Sequence, residues 1–168
     1  IFWYKGCRSS SKDVKKKMNL IKLQDEIAND EGIKYELYLC SENHLTGGIG
    51  HLITEWDVDY YGKPIGYPVP HEQVDAWFAI DINRTLQDCK EIFPDFNDLP
   101  EEAQLVIANM CFQLGRPRLS NFVKFIAAVN DRDWVKAADE MEDSRWYKQT
   151  TARAERLIAR IITLGVPA

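Results

Sequence analysis

Residues 31–51 read Glu31-Gly-Ile-Lys-Tyr-Glu-Leu-Tyr-Leu-Cys40-Ser-Glu-Asn-His-Leu-Thr46-Gly-Gly-Ile-Gly-His51. Ile33, Tyr35, Leu37 and Leu39 alternate with Lys34, Glu36, Tyr38 and Cys40. Period-two alternation predicts a half-buried strand. Ser41 to His44 is polar and predicts a turn, and Leu45 to Thr54 predicts a second strand. Gly47, Gly48 and Gly50 loosen that strand, and glycine inside a strand marks a bulge or a close approach by another group. A carboxyl, a thiol and a hydroxyl (Glu31, Cys40, Thr46) are thereby carried by a helix end and a glycine-rich hairpin. Taken alone, the stretch also fits a surface hairpin with incidental polar residues.

The flanks extend the pattern. Met18 to Asp30 predicts a helix with an apolar stripe of Leu20, Leu23 or Gln24, and Ile27. Gly32 is suited to stop it in the left-handed conformation, which leaves Glu31 at the helix exit. Residues 55–70 hold three prolines and two glycines, which is loop chemistry. His71 to Phe93 predicts one long helix, with Val74, Trp77, Phe78, Ile82, Leu86 and Cys89 close to one face and Pro94 ending it. Asp98-Leu-Pro-Glu101 resembles a capping box and starts a helix that runs to Leu114, stopped by Gly115 and Pro117. Ser120 to Asn130 and Asp133 to Asp143 predict two short amphipathic helices. Thr150 or Thr151 caps a last one, whose core face is Leu157, Ile158, Ile161 and Ile162.

Length and composition bound the reading. With 168 residues, 45% hydrophobic and 28% charged, the chain has the make-up of one soluble globular domain with a substantial core. No apolar run approaches the roughly 20 residues of a membrane-spanning helix. The four cysteines, Cys7, Cys40, Cys89 and Cys111, lack metal-ligand spacing, and the three histidines form no cluster. Cys89 and Cys111 lie among apolar helical residues and are expected in the core. Residues 1–17 carry six basic residues and one acid (+5). The remaining 15 basic and 25 acidic residues give −10. Nucleic-acid binding by residues 18–168 is not expected from that balance. The aromatic tip and basic run of residues 1–17 fit a surface-binding or membrane-proximal arm, and equally a linker.

The chain as a whole resembles the T4-type phage lysozymes. Their motif is Glu, eight residues, Asp or Cys, five residues, Thr. It stands here as Glu31, Cys40 and Thr46, followed by Gly48-Ile-Gly-His51. Two further runs match in order: Asn109-Met-Cys-Phe-Gln-Leu-Gly115 and Ser144-Arg-Trp-Tyr-Lys-Gln-Thr150. The resemblance covers about Met18 to Gly165. It implies an α+β fold of two lobes: a small sheet lobe at about 31–70, a long linking helix at about 71–93, and a helical lobe built from about 94–168 with 18–30. Residues 1–17 would be an extension.

It further implies hydrolysis of the β-1,4 bond between N-acetylmuramic acid and N-acetylglucosamine in peptidoglycan, with inversion. It implies a monomer needing no cofactor and no metal, encoded by a phage and acting from host cytoplasm to cell wall, with virion association as an alternative. Glu31 would be the general acid. Such an acid must be partly desolvated to keep its proton near neutral pH. Cys40 stands where Asp is usual. A thiol has a reference pKa of about 8.5 and needs local help to ionise. Thr46 would position water. Gly50, Leu52, Phe112, Gln113, Arg145 and Gln149 match substrate-contact positions. His51 would pair with Asp81, and Arg153 with Glu31. Phe125 and Glu140 stand where small polar or amide residues are usual. Cys7 is a candidate partner for a reversible disulfide with Cys40. Two rivals to a hydrolase are a lytic transglycosylase, which needs only the acid, and a wall-binding or virion-structural module that has lost catalysis.

Overall fold

The computed structural model describes residues 17–167; Cys7 and the rest of the basic arm up to residue 16 lie outside them. The described residues form seven α-helices and one small antiparallel sheet of three strands. The fold is α+β and T4-lysozyme-like, with the sheet lobe and the helical lobe sharing the long second helix.

Helix α1 spans Leu20–Glu31. The Asn19 side chain caps it by accepting from the Lys22 N–H at 3.0 Å. The Asn19 N–H donates to Glu101 Oε1, which ties the start of α1 to the helical lobe. Only Leu23 and Ile27 are buried, one turn apart, while Leu20 faces solvent. Gly32 at φ 74° closes the helix through its N–H to the Ala28 carbonyl. A residue with a Cβ would be strained there, so the chain turns sharply and Glu31 ends the helix beside the sheet.

Strands β1 (Lys34–Leu39), β2 (Leu45–Gly48) and β3 (His51–Leu52) form the sheet in that order. The expected single strand from Leu45 to Thr54 is in fact a second hairpin. Gly48 and Gly50 take φ values of 60° and 69°, which glycine alone adopts cheaply, and the chain reverses between Gly47 and its partner His51. In register, Tyr38 faces Thr46 and Thr46 faces Leu52. Directly opposed residues share one face, so Tyr38, Thr46 and Leu52 form a row across the sheet. On the other face Leu37 alone of β1 is fully buried; Ile33, Tyr35 and Leu39 remain largely exposed because the sheet has little beneath it. Residues 66–69 run along the outer side of β1, with Leu37 N–H to Tyr67 O at 2.9 Å and Val69 N–H to Tyr35 O at 2.9 Å. They cover an edge that would otherwise offer unpaired backbone groups.

Helix α2 (His71–Ile92) is the spine. Its first half sends Val74 and Trp77 into a small core with Leu37, Ile49, Ile53 and Val69. Its second half sends Ile82 and Cys89 into the main core of the helical lobe, and Phe78 packs against both. Helix α3 (Glu101–Ser120) is buried almost continuously from Ala103 to Cys111 and forms the centre of that lobe. It begins directly after Pro100, and the capping box expected at Asp98 gives way to a short 3₁₀ turn, Phe96–Asp98. The Glu101 carboxylate serves α1 instead. Gly115 (φ 76°, ψ 161°) breaks α3, and one more turn follows to Ser120.

Helices α4 (Val123–Asn130), α5 (Trp134–Glu142), α6 (Arg145–Gln149) and α7 (Thr151–Leu164) complete the lobe. Helix α6 was not anticipated. It is five residues long, too short for periodicity to reveal, and is capped by Ser144 accepting from the Tyr147 N–H. Thr150 precedes α7 without a side-chain capping bond, its hydroxyl donating to Trp146 O instead. Ala154, Leu157, Ile158 and Ile161 are the core face of α7, while Ile162 turns outward.

The closest backbone approach in the sheet lobe is at Gly47. A Cβ there would sit 2.9 Å from Trp77 Cζ3 and 3.2 Å from Leu37 Cδ2. Both neighbours belong to a packed core, so neither can yield without moving the strand from α2. Gly47→Ala is expected to destabilise the protein by about 1–3 kcal/mol. Urea unfolding beside wild type measures it, and an unchanged midpoint would show that Trp77 repacks freely.

Candidate functional site

Two acids, Asp30 and Glu31, end α1. A helix C-terminus carries partial negative charge, so carboxylates there need cations. Helix α7 supplies them. Arg153 Nη1 donates to Glu31 Oε1 at 2.7 Å. Its Nε donates to Asn109 Oδ1 at 2.9 Å, and its Nη2 reaches the Asn109 carbonyl at 3.4 Å. Asn109 Nδ2 in turn donates to Asp30 Oδ2 at 2.9 Å, and Arg156 pairs with the other Asp30 oxygen. The guanidinium is therefore held by two bonds to Asn109 beside the one it makes to Glu31. Asn109 is 1% exposed. It is held in place by a full set of partners, as a buried amide must be.

The second oxygen of Glu31 faces Gly50. A Cβ built at Gly50 would lie 3.2 Å from Glu31 Oε2, and Gly50 holds φ 69°. Glycine is thus needed twice at that position, for its backbone and for the approach of the acid. Tyr38 stands near by. Burial raises its pKa, the charges of Glu31 and then Cys40 raise it further, and a hydrogen bond from the Gly50 backbone partly offsets this.

Cys40 follows directly on β1, and its turn is closed by Cys40 N–H to His44 O and Asn43 N–H to Cys40 O. Burial pushes the Cys40 thiol up, but hydrogen bonds from the His44 and Glu42 backbone and the Thr46 hydroxyl outweigh it and leave its pKa below the ordinary value. The Glu42 charge opposes them weakly. Thr46 is buried, and its Oγ1 also lies 2.9 Å from His44 O, to which it donates. A hydroxyl carries one proton. It can serve the carbonyl or the thiolate, one at a time.

His51 joins the lobes. Its Nδ1 lies 2.7 Å from Asp81 Oδ2 on α2, its Nε2 lies 3.2 Å from Asp57 Oδ1, and its ring stacks on Trp77 at 4.5 Å. Asp57 also accepts from the Thr54 N–H and hydroxyl. Asp57 lies in a loop that shows no periodicity, and sequence reasoning missed it. It missed Asp30 and Asn109 as site residues too, though each left a signal: consecutive acids at a helix exit, and one amide inside an apolar run.

The other candidate positions spread along the groove between the lobes. Leu52 is half exposed on the sheet row shared with Thr46. Phe112 packs edge-to-face on Phe78 at 5.9 Å. Gln113 accepts from the Trp146 indole at 2.8 Å. Arg145 and Gln149 line a cavity of about 750 Å³ with Leu114, Phe122 and Glu140. Glu42 from the sheet lobe pairs with Arg118 from α3 at 2.8 Å at this cavity. Glu31, Cys40 and Thr46 do not line it. Phe125 is buried against Phe93 and Phe122 as part of the cavity floor, so it is a core residue. Among the described residues no group of His, Cys, Asp or Glu is arranged to hold a metal ion, and no helix is long and apolar enough to cross a membrane.

The family model for phage lysozyme matches residues 28–161. The chain belongs to the phage lysozyme family. Probable T4-type lysozyme 2 of Dictyostelium discoideum is 28% identical over 155 residues, covering 82% of this chain and 91% of that protein. The pre-baseplate central spike protein Gp5 of Enterobacteria phage T4 is 28% identical over 158 residues, 84% of this chain but 28% of Gp5. Peptidoglycan hydrolase gp36 of Pseudomonas phage phiKMV is 28% identical over 145 residues, 86% of this chain and 16% of gp36. Each match therefore takes in more than four-fifths of this chain, Glu31 and the hairpin with it.

The histidine joint generates a pH prediction. Burial alone would lower the His51 pKa, but the carboxylates of Asp81 and Asp57 outweigh it and hold it above the ordinary value. Burial would raise Asp57, but its bonds from the Thr54 N–H and from His51 hold it below the carboxylate range. The raised His51 stabilises fully below its unfolded pKa of about 6.5, and that contribution is lost as pH climbs through the folded value. The depressed Asp57 contributes fully above about 3.9, and that is lost as pH falls through its folded value. Thermal stability should decline above about pH 6.5, and His51→Asn should flatten that limb. A double-mutant cycle of His51→Asn with Asp81→Asn should show coupling, with about 3–5 kcal/mol as the upper range for breaking such a pair. Zero coupling would refute the joint.

Proposed function

We propose that this chain is a peptidoglycan hydrolase of the muramidase type. It cuts the β-1,4 bond between N-acetylmuramic acid and N-acetylglucosamine, with Glu31 as general acid and Cys40 and Thr46 handling the attacking water. The observation that carries the reading is the grip on Glu31: Arg153 holds one oxygen at 2.7 Å, and the other faces a residue that must be glycine. An acid held at one oxygen by Arg153 presents the other along one direction, which is what protonation of a glycosidic oxygen requires.

In the reaction, protonated Glu31 gives its proton to the leaving glycosidic oxygen as that bond to the anomeric carbon breaks. A water molecule attacks the anomeric carbon from the opposite face and passes its proton to the Cys40 thiolate. The products are two shorter glycans, one with an inverted anomeric centre, and both side chains return to their starting state by exchange with solvent. The lowered Cys40 pKa favours the thiolate this step uses. Thr46, donating to His44 O, keeps its lone pairs available to orient the water. Leu52, Phe112, Gln113, Arg145 and Gln149 would contact glycan or peptide stem. The sheet lobe (31–70), linking helix (71–93) and helical lobe (94–168 with 18–30) would act as a monomer. Relatives named as a phage spike protein and a phage hydrolase support a phage origin and an association with virion or cell wall.

Glu31→Gln should fold normally and lose about 10²–10⁴ of turnover on peptidoglycan in a turbidity assay. More than about a tenth of wild-type turnover remaining would sink the assignment. Product masses separate hydrolysis from its rivals: water added marks a hydrolase, a 1,6-anhydro end marks a lytic transglycosylase, and wall binding without products marks a binding module. Cys40→Asp should retain activity, Cys40→Ala should lose it, and thiol alkylation should inactivate wild type but spare Cys40→Asp. A fully active Cys40→Ala would remove the thiol from the mechanism. Cys7 lies outside the described residues. The proposed Cys7–Cys40 disulfide is tested by non-reducing peptide mapping, in which free thiols at both positions after oxidation would refute it.

A further inference from the structure

In the loop that follows β3, Trp56 is 84% exposed, more than its exposed neighbours Val58, Tyr61 and Ile65. Leaving an indole in water forgoes its burial energy, and a lone exposed aromatic needs no explanation. Its backbone, however, is unusually well fixed. Trp56 occupies a corner of the β-turn closed by Asp57 N–H to Thr54 O at 2.9 Å. Asp57 Oδ2 accepts from the Thr54 N–H at 2.9 Å and the Thr54 hydroxyl at 3.2 Å, and the Trp56 N–H reaches Thr54 Oγ1 at 3.4 Å. Asp57 Oδ1 contacts His51, which is anchored to Asp81 on the long helix. The indole thus projects from a turn that is wired, through three side chains, to the joint between the lobes.

Its place in the chain is continuous with the site. Gly50 lies against Glu31, Leu52 is exposed on the sheet row with Thr46, and Trp56 follows four residues later. Six residues span at most about 20 Å, so the indole stands within a few sugar units of the acid. The turn is also acidic, with Glu55, Asp57 and Asp59 flanking Trp56 in sequence. That charge repels an anionic lipid surface and is indifferent to the uncharged face of an N-acetylated sugar. We propose that Trp56 is a carbohydrate-stacking platform, an outer subsite that holds a glycan strand beyond the cleft through the apolar face of one pyranose ring. The proposal rests on the glycan-cleaving function proposed above.

The test compares long peptidoglycan glycan strands, stripped of their peptides, with a tetrasaccharide of the same repeat. In Trp56→Ala the KM for long strands should rise about five- to tenfold, the range expected for losing one aromatic stacking contact. The KM for the tetrasaccharide should not move. Trp56→Phe should recover most of the loss, and Ile65→Ala, exposed on the same loop, should behave as wild type. A KM for long strands within about twofold of wild type in Trp56→Ala would overturn the subsite. An equal loss on both substrates would overturn it too, as would loss of binding to anionic phosphatidylglycerol vesicles with KM unchanged. If wild type cleaves neither substrate, the function proposed above has failed. The platform is then still decided by sedimentation with insoluble peptidoglycan, where unchanged binding of Trp56→Ala overturns it.

Discussion

The structure depends on the meeting of α1 and α7 at one guanidinium. Helix α1 ends in two acids, against its own dipole, and α1 alone offers no compensation. Arg153 supplies it 122 residues away, reading Asp30, Glu31 and the Asn109 amide at once. Removing Arg153 would leave the mostly buried Glu31 carboxylate without its cation, while Asp30 would keep Arg156; that is a larger loss than the Glu31 pair itself contributes. Stability and function are hence bound together here. The arrangement that makes the helix end tolerable also fixes the rotamer of Glu31.

The second constraint is that two cores share one helix. Val74 and Trp77 belong to the sheet lobe, and Ile82, little more than one turn further along α2, belongs with Cys89 to the helical lobe. The sheet lobe is too small to stand alone, with Leu37 the one fully buried side chain of β1. It is held by Trp77 against Gly47, and by His51 between Asp81 and Asp57. A histidine hydrogen-bonded at both nitrogens to carboxylates is oriented as firmly as the scaffold allows. Both lobes are therefore tied to a single shared helix.

Much of the fold is legible in the sequence wherever a local rule has no competitor. Leu23 and Ile27 mark α1 by their spacing, Gly32 and Gly115 stop helices by conformation, and Pro94 ends α2. The reading fails where backbone geometry overrides pattern. Leu45 to Thr54 alternates like one strand, but the positive φ of Gly48 and Gly50 folds it back on itself. Leu20 fits the stripe of α1 yet faces solvent, because the helix packs through two residues only. The site is legible to a different degree. Spacing puts Cys40 and Thr46 on one hairpin and Glu31 at the helix end before it. Asp81 and Arg153 lie 30 and 122 residues from their partners, and no periodicity carries such a pairing; only the family resemblance names them. Asp57 has neither a pattern nor a motif to mark it.

A thiol in a place usually held by a carboxylate needs its charge stabilised, and the hairpin turn does this with backbone groups. The His44 and Glu42 backbone and the Thr46 hydroxyl lower the Cys40 pKa against burial, and the one opposing charge is Glu42. That carboxylate is itself paired with Arg118, which reaches it from α3 at 2.8 Å. Both partners are about half exposed, so the pair adds little to stability. Arg118 belongs to the helical lobe and Glu42 to the turn that carries Cys40, so the pair bridges the two lobes beside the thiol.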